Sequence, residues 1–166
     1  MKYIIKCGFT DNSIKDLKYF KNQFHQKYNC VKNKNSLYTP LLSFNCNDCI
    51  KFDPQLIKKI QNLQTFRINI SNIKLQNKVV YLLIEPLGFI SSIQRLFEEY
   101  FLINSIKYNK INKWDHLYIK YINIDKLNVN IADLFFPPYI KVSSINIFKY
   151  NNKKSTLLDS ISLKNI

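Results

Sequence analysis

A chain of 166 residues with 46% hydrophobic and 22% charged residues can bury one substantial core, which excludes extended disorder and favours a single domain over residues 1–166. Two glycines and five prolines exclude collagen and glycine-rich phosphate loops, and no apolar stretch is long enough to span a bilayer, so no membrane insertion is expected. The formal charge of +14 favours polyphosphates, acidic proteins or anionic surfaces as partners, although all but two of the 25 basic residues are lysine and a lysine- and asparagine-rich background explains part of that charge.

Lys2 to Phe9 alternates, with Tyr3, Ile5, Cys7 and Phe9 on one side and Lys2, Ile4, Lys6 and Gly8 on the other, which predicts a strand. Its apolar run is too short for a secretory signal, so the four cysteines are expected in a reducing, intracellular setting. Asp11 to Asn29 then places Ile14, Leu17, Phe20 or Lys21, Phe24 and Tyr28 at helical intervals, which predicts an amphipathic helix. Leu37 to Phe44 reads as a second strand, with Pro40 suited to an edge, a strand start or a bulge. Asp53-Pro54 supplies an N-cap and a proline at the first helical position, and Leu56, Ile57, Ile60 and Leu63 form the buried face that follows.

Thr65 to Leu75 and Lys78 to Glu85 alternate as a hairpin joined at Gln76-Asn77. From Ser91 the period returns to helix, with Ser91 and Gln94 as a capping box over Ile93, Leu96, Phe97, Tyr100 and Phe101. His116 to Ile122 reads as a strand and Asp125 to Phe135 as a short helix. Phe135-Phe136-Pro137-Pro138 then forms a packed turn, and Tyr139 to Tyr150 with Thr156 to Leu163 a final hairpin. This order is that of an α+β protein with antiparallel sheets and flanking helices in two related lobes, 1–86 and 87–166, rather than of alternating dinucleotide-binding units.

His116 is the residue that singles itself out, since histidine exchanges a proton near neutrality and a strand can aim it into a cleft. Tyr118 and Lys120 share its strand parity and add a hydroxyl and a cation. Arg67 and Asn69 share a parity on the third strand and are candidates for ligand contact; Lys32, Lys34, Lys51, Lys58, Lys59, Lys74 and Lys78 are candidates for a basic surface. His25 falls on the first helix, in a packing or solvent role. Cys46-x-x-Cys49 has the spacing of half a zinc site, but no second pair accompanies it, Cys7 belongs to an apolar strand face, and Asp48 between the two disfavours a reactive thiolate. Neither a metal nor any other cofactor is expected.

Tyr38-Thr39-Pro40-Leu41-Leu42 and His116-Leu117-Tyr118-Ile119 are the segments on which the chain resembles the 2H phosphoesterases, the RNA-ligase-like or cyclic phosphodiesterase family, over nearly its whole length. The resemblance implies a two-lobed, pseudo-symmetric fold around a cleft, each lobe presenting a His-x-Thr/Ser strand whose histidines act as acid and base on a 2',3'-cyclic phosphate or related phosphodiester. It aligns Tyr38 with the first histidine and Pro40 with its hydroxyl residue, so both groups are replaced there. His116 keeps the second histidine as the catalytic candidate, and Tyr118 stands at the second hydroxyl.

The expectation is therefore RNA or nucleotide-phosphate binding by a degenerate 2H-like domain without the two-histidine mechanism, with Tyr38, Tyr118, Lys120 and Arg67 as ligand contacts. A cyclic phosphodiesterase or RNA-end processing enzyme using His116, and an accessory subunit of a protein complex, are the alternatives.

Overall fold

The computed structural model describes residues 1–28, 31–32, 39–46, 51–76, 79–85, 88–110, 116–122, 134–151 and 154–165, with 31–32, 75–76, 79 and 116–122 described by their backbone. Strand β1 (Lys2–Phe9) buries Tyr3, Ile5, Cys7 and Phe9, as its alternation requires. Thr10 then caps helix α1 (Asp11–Tyr28), accepting from the Ser13 amide at 3.4 Å, and α1 buries Ser13, Leu17, Phe20 and Phe24. The Ser13 hydroxyl in turn accepts from the Lys141 amide at 2.8 Å, tying the first turn of α1 to the last long strand pair.

Strand β2 (Val31–Lys32) precedes β3 (Thr39–Asn45). Helix α2 (Pro54–Gln61) starts as its sequence dictates: the Asp53 carboxylate accepts from the Gln55 amide at 2.7 Å with Pro54 next to the cap. The hairpin of β4 (Phe66–Gln76) and β5 (Val79–Ile84) leads to helix α3 (Gly88–Ile103), followed by β6 (Tyr108–Lys110), β7 (His116–Ile122) and the hairpin of β8 (Tyr139–Asn151) and β9 (Lys154–Ser162).

Helix α3 begins three residues before the expected capping box. Ser91 lies inside it, exposed, and Gln94 is buried with its amide nitrogen lacking a hydrogen-bond partner. Packing overrides the local cap signal, because Ile90 is buried and Phe89 stacks on Phe66 at 5.1 Å, extending the apolar face upstream. Leu134–Pro137 is not helical, and most of the helix expected over Asp125 to Phe135 lies outside the described residues.

Among the described residues the strands form one curled antiparallel sheet in the order β2-β7-β5-β4-β8-β1-β3-β6, with β9 paired to β8. Each half of that sheet takes strands from both segments 1–86 and 87–166. One side is β2, β7, β5 and β4; the other is β8, β1, β3 and β6. The core lies on the face of Tyr3 and Phe44, whose rings stack at 5.0 Å, and Phe44 meets Phe101 of α3 at 4.8 Å and Phe52 at 6.3 Å. No helix among the described residues is long and apolar enough to cross a membrane.

Candidate functional site

Strand parity fixes the face turned away from α2 and α3. Opposite the core residues of β1 stand Lys2, Ile4, Lys6 and Gly8, and the β1–β8 register sets Lys6 beside Asn146, Ile4 beside Phe148 and Lys2 beside Tyr150. On the other edge of β1, Lys6 pairs with Pro40 of β3. Across the sheet, Arg67 pairs with Lys141 and Asn69 with Tyr139 on the same face, while the adjoining pairs Phe66–Val142 and Ile68–Ile140 are buried.

The candidate ligand residue Arg67 is exposed and its guanidinium lies 4.5 Å from the centre of the Tyr139 ring. Beside it the Asn69 amide donates to Glu85 at 2.9 Å. In β7 the register sets His116 opposite Leu83, Tyr118 opposite Tyr81 and Lys120 opposite Val79. On β5, Tyr81 and Leu83 are half-buried whereas Val80, Leu82 and Ile84 are buried. Tyr38 lies outside the described residues. Thr39, the hydroxyl residue inside the first motif segment, pairs with Cys7 and is fully buried on the core side, so it does not take the place of the hydroxyl missing at Pro40. The curl of the sheet brings β3 and β7 within 8 Å between Cα atoms, although β5, β4, β8 and β1 lie between them in strand order.

Sequence reasoning missed the most unusual cation of this face. Lys6 is 3% exposed, its ammonium donates to the Tyr150 hydroxyl at 2.6 Å, and it lies 4.6 Å from the Phe148 ring centre and 5.2 Å from that of Tyr150. Burial pulls its pKa from 10.5 down to about 8. Burial also raises the pKa of Tyr150, against the opposing pull of a hydrogen bond with Ser155. The signal was present as a lysine inside the run Tyr3-Ile4-Ile5-Lys6-Cys7, where a one-sided strand and a two-sided one read alike.

Next to Lys6, the hydroxyls of Ser144 and Ser160 both donate to Asn146 Oδ1, at 3.1 and 2.7 Å. Gly8 makes room for that network: a Cβ there would clash with Ser144 Oγ and lie 2.6 Å from Asn146 Nδ2.

Other sequence candidates do not join this face. Cys7 is buried, with its thiol pKa pushed up to about 12, Cys46 is half-buried, and Cys30 and Cys49 lie outside the described residues. No group of three metal-ligating side chains occurs among the described residues. A cavity of about 340 Å³ lined by Tyr3, Phe44, Phe52, Ile57, Lys51 and Asp159 opens on the helix-covered side, away from Lys6 and Arg67.

The structure of Escherichia coli LigT in its apo form superposes on this chain with a TM-score of 0.61 at 8% identity, covering 98% of this chain and 96% of LigT. LigT complexed with 3'-AMP gives 0.58 at 10% identity, covering 98% and 97%. TT0787 of Thermus thermophilus gives 0.60 at 13% identity, covering 99% of both chains. No family model matches the sequence, and no curated protein matches it significantly. The likeness is one of fold, and the fold is the LigT-like 2H phosphoesterase arrangement that the two motif segments implied.

Proposed function

We propose that this chain uses a 2H phosphoesterase fold to bind RNA or nucleotide phosphates without paired-histidine catalysis. The observation that carries the reading is the pairing of Arg67 with Tyr139 and Lys141 on the open face, since a guanidinium on an aromatic ring beside a second cation matches a phosphate next to a base. LigT, which shares the fold, has been solved with 3'-AMP, with ATP, with NADP+ and with phosphate. The case against inherited catalysis rests on Pro40, which supplies neither a hydroxyl nor a proton where the family resemblance requires one.

Fluorescence anisotropy of labelled single-stranded RNA on the full chain, with 3'-AMP as competitor, tests this reading. The expected result is binding that weakens about tenfold between roughly 50 and 200 mM salt, as release of a few counterions requires. No binding at low salt overturns it and leaves the accessory-subunit reading, which copurification from native lysate addresses.

His116 in β7 favours a second reading, a phosphodiesterase acting through one histidine with an unusual partner. Turnover of a 2',3'-cyclic nucleotide that disappears in His116→Ala would establish it, and the expected outcome is no turnover by either protein.

A further inference from the structure

Among the described residues four aromatic side chains are exposed: Tyr19, Phe89, Phe135 and Tyr139. Single exposed rings are ordinary on a protein surface. These are not single. Phe89 stacks on Phe66, Tyr139 carries the Arg67 guanidinium at 4.5 Å, and Tyr19 meets Phe135 edge to face at 5.9 Å although both rings are about half exposed, at 55% and 52%. A contact between two rings that leaves each of them wet buries little apolar area, so core formation does not explain it.

The Tyr19–Phe135 pair is tied to the open face by two routes. Phe135 reaches Tyr139 through Phe136-Pro137-Pro138, and four residues of extended chain span at most about 14 Å. The two prolines and a hydrogen bond from the Ile70 amide to the Pro138 carbonyl at 2.9 Å hold that separation. From the other direction, Thr10 and Ser13 fix the start of α1 to Lys141, the neighbour of Arg67. Tyr19 follows six residues after Ser13, about 9 Å along the helix axis. The Gln23 amide donates to the Tyr19 hydroxyl at 3.3 Å and orients the ring from one turn further on. Lys15 and Asp16 are both exposed within one turn of Tyr19, so their charges offset each other and the rings are what this end of the surface offers.

We propose that Tyr19 and Phe135 form the outer stacking position of a track for single-stranded RNA that begins at Arg67, Tyr139 and Lys141, and that the ligand is a strand of about five nucleotides rather than a mononucleotide. This rests on the RNA reading above and specifies the length and path of the ligand. About 14 Å corresponds to roughly four base steps at 3.4 Å each, which sets the length. It lies at the lower end of the roughly 4–16 nucleotides that single-strand-binding domains cover. The two ends divide the work: Arg67 and Lys141 supply the charge that holds phosphate, whereas Tyr19 and Phe135 supply faces and edges on which a base stacks whatever its identity.

The experiment measures fluorescence anisotropy of labelled oligoadenylates of two to eight nucleotides on the full chain, at several salt concentrations. Wild-type affinity is expected to rise with length to about five nucleotides and then level off. Tyr19→Ala and Phe135→Ala are each expected to weaken the six-nucleotide strand about five- to tenfold, to leave the dinucleotide unchanged and to keep the salt slope, because an uncharged ring releases no counterion. Tyr19→Phe is expected to bind like wild type, since the ring and not the hydroxyl does the stacking. Ultraviolet crosslinking of the unaltered chain to the six-nucleotide strand, read by mass spectrometry, is expected to give an adduct on Tyr19 or Phe135 and keeps the idea testable if a variant fails to fold.

RNA binding with affinity level from the dinucleotide onward, with unchanged six-nucleotide affinity in folded Tyr19→Ala and Phe135→Ala, or with crosslinks confined to other residues overturns the track and spares the RNA reading. Equal losses for the dinucleotide and the longer strand also overturn it, because they place the rings at the inner site or reflect general damage. Absence of wild-type binding at every length overturns the reading and the track together.

Discussion

The Lys6 ammonium and the Tyr150 hydroxyl meet at 2.6 Å although 144 positions separate them in the chain, and their contact closes the open face where β1 and β8 run side by side. The pair joins a cation that solvation would draw outward to a ring that packing draws inward. The fold tolerates that tension at one place among its described lysines.

The first prediction concerns stability and pH. The unfolded chain keeps an ordinary lysine pKa while burial lowers that of Lys6 from 10.5 to about 8. Between these values the unfolded state binds more protons. The destabilising contribution of the charged lysine is therefore fully present below about pH 8 and fades as pH rises toward 10.5. Lys6→Met is expected to be more stable than wild type near pH 7 by about 1 kcal/mol after allowing for solvent screening. The difference should shrink near pH 10, apart from the lysines common to both proteins, and urea denaturation at the two pH values measures it. Among the described residues Tyr150 and Lys2 are the titratable side chains of β8 and β1 paired on this face beside Lys6.

Arg67→Ala removes the guanidinium from the Tyr139 ring without opening the core, since both side chains are exposed. RNA affinity is expected to fall about three- to tenfold for all sequences alike, with a salt slope shallower by about one. Anisotropy against two RNAs of unrelated sequence reads both effects; a loss confined to one sequence argues for base recognition instead.

Gly8→Ala places a methyl group against Ser144 and Asn146, whose hydrogen bonds with each other and with Ser160 then have to rearrange. Both neighbours can rotate, so the expected cost is about 1–2 kcal/mol rather than loss of the fold. Chemical denaturation of the variant provides the check, and an unchanged midpoint means that the network carries no strain.

Phe101→Ala removes a fully buried ring that touches Phe44 at 4.8 Å, Tyr108 at 5.6 Å and Tyr100 at 5.9 Å. The cavity left between α3 and β3 is expected to cost about 3–5 kcal/mol, measured by calorimetric or denaturant unfolding. A smaller loss would mean that the neighbouring aromatic rings collapse into the gap.

Much of the fold was legible because its signals are local. The Asp53 cap, the alternation of β1 and the two hairpins each depend on residues within a few positions of one another, and each appears where its pattern lies. The start of α3 was misplaced because a serine with a glutamine three residues on resembles a cap, while burial of Ile90 extends the helix past it. The edge strands β2 and β6, with two and three residues, are too short for any period to show. The site was less legible: parity singles out Arg67, whereas it only groups Lys6 with Lys2, Ile4 and Gly8 on the second side of its strand and gives it no role.

The sequence by itself determined which residues of each strand share a face, because successive side chains alternate whatever surrounds them. Only the tertiary structure decided that the second face of β1 is also covered, that Lys6 meets Tyr150 there, and that β3 curls to within 8 Å of β7. Those outcomes depend on register and curvature set by strands far apart in the chain, and a period of two names two faces without saying what will pack on either.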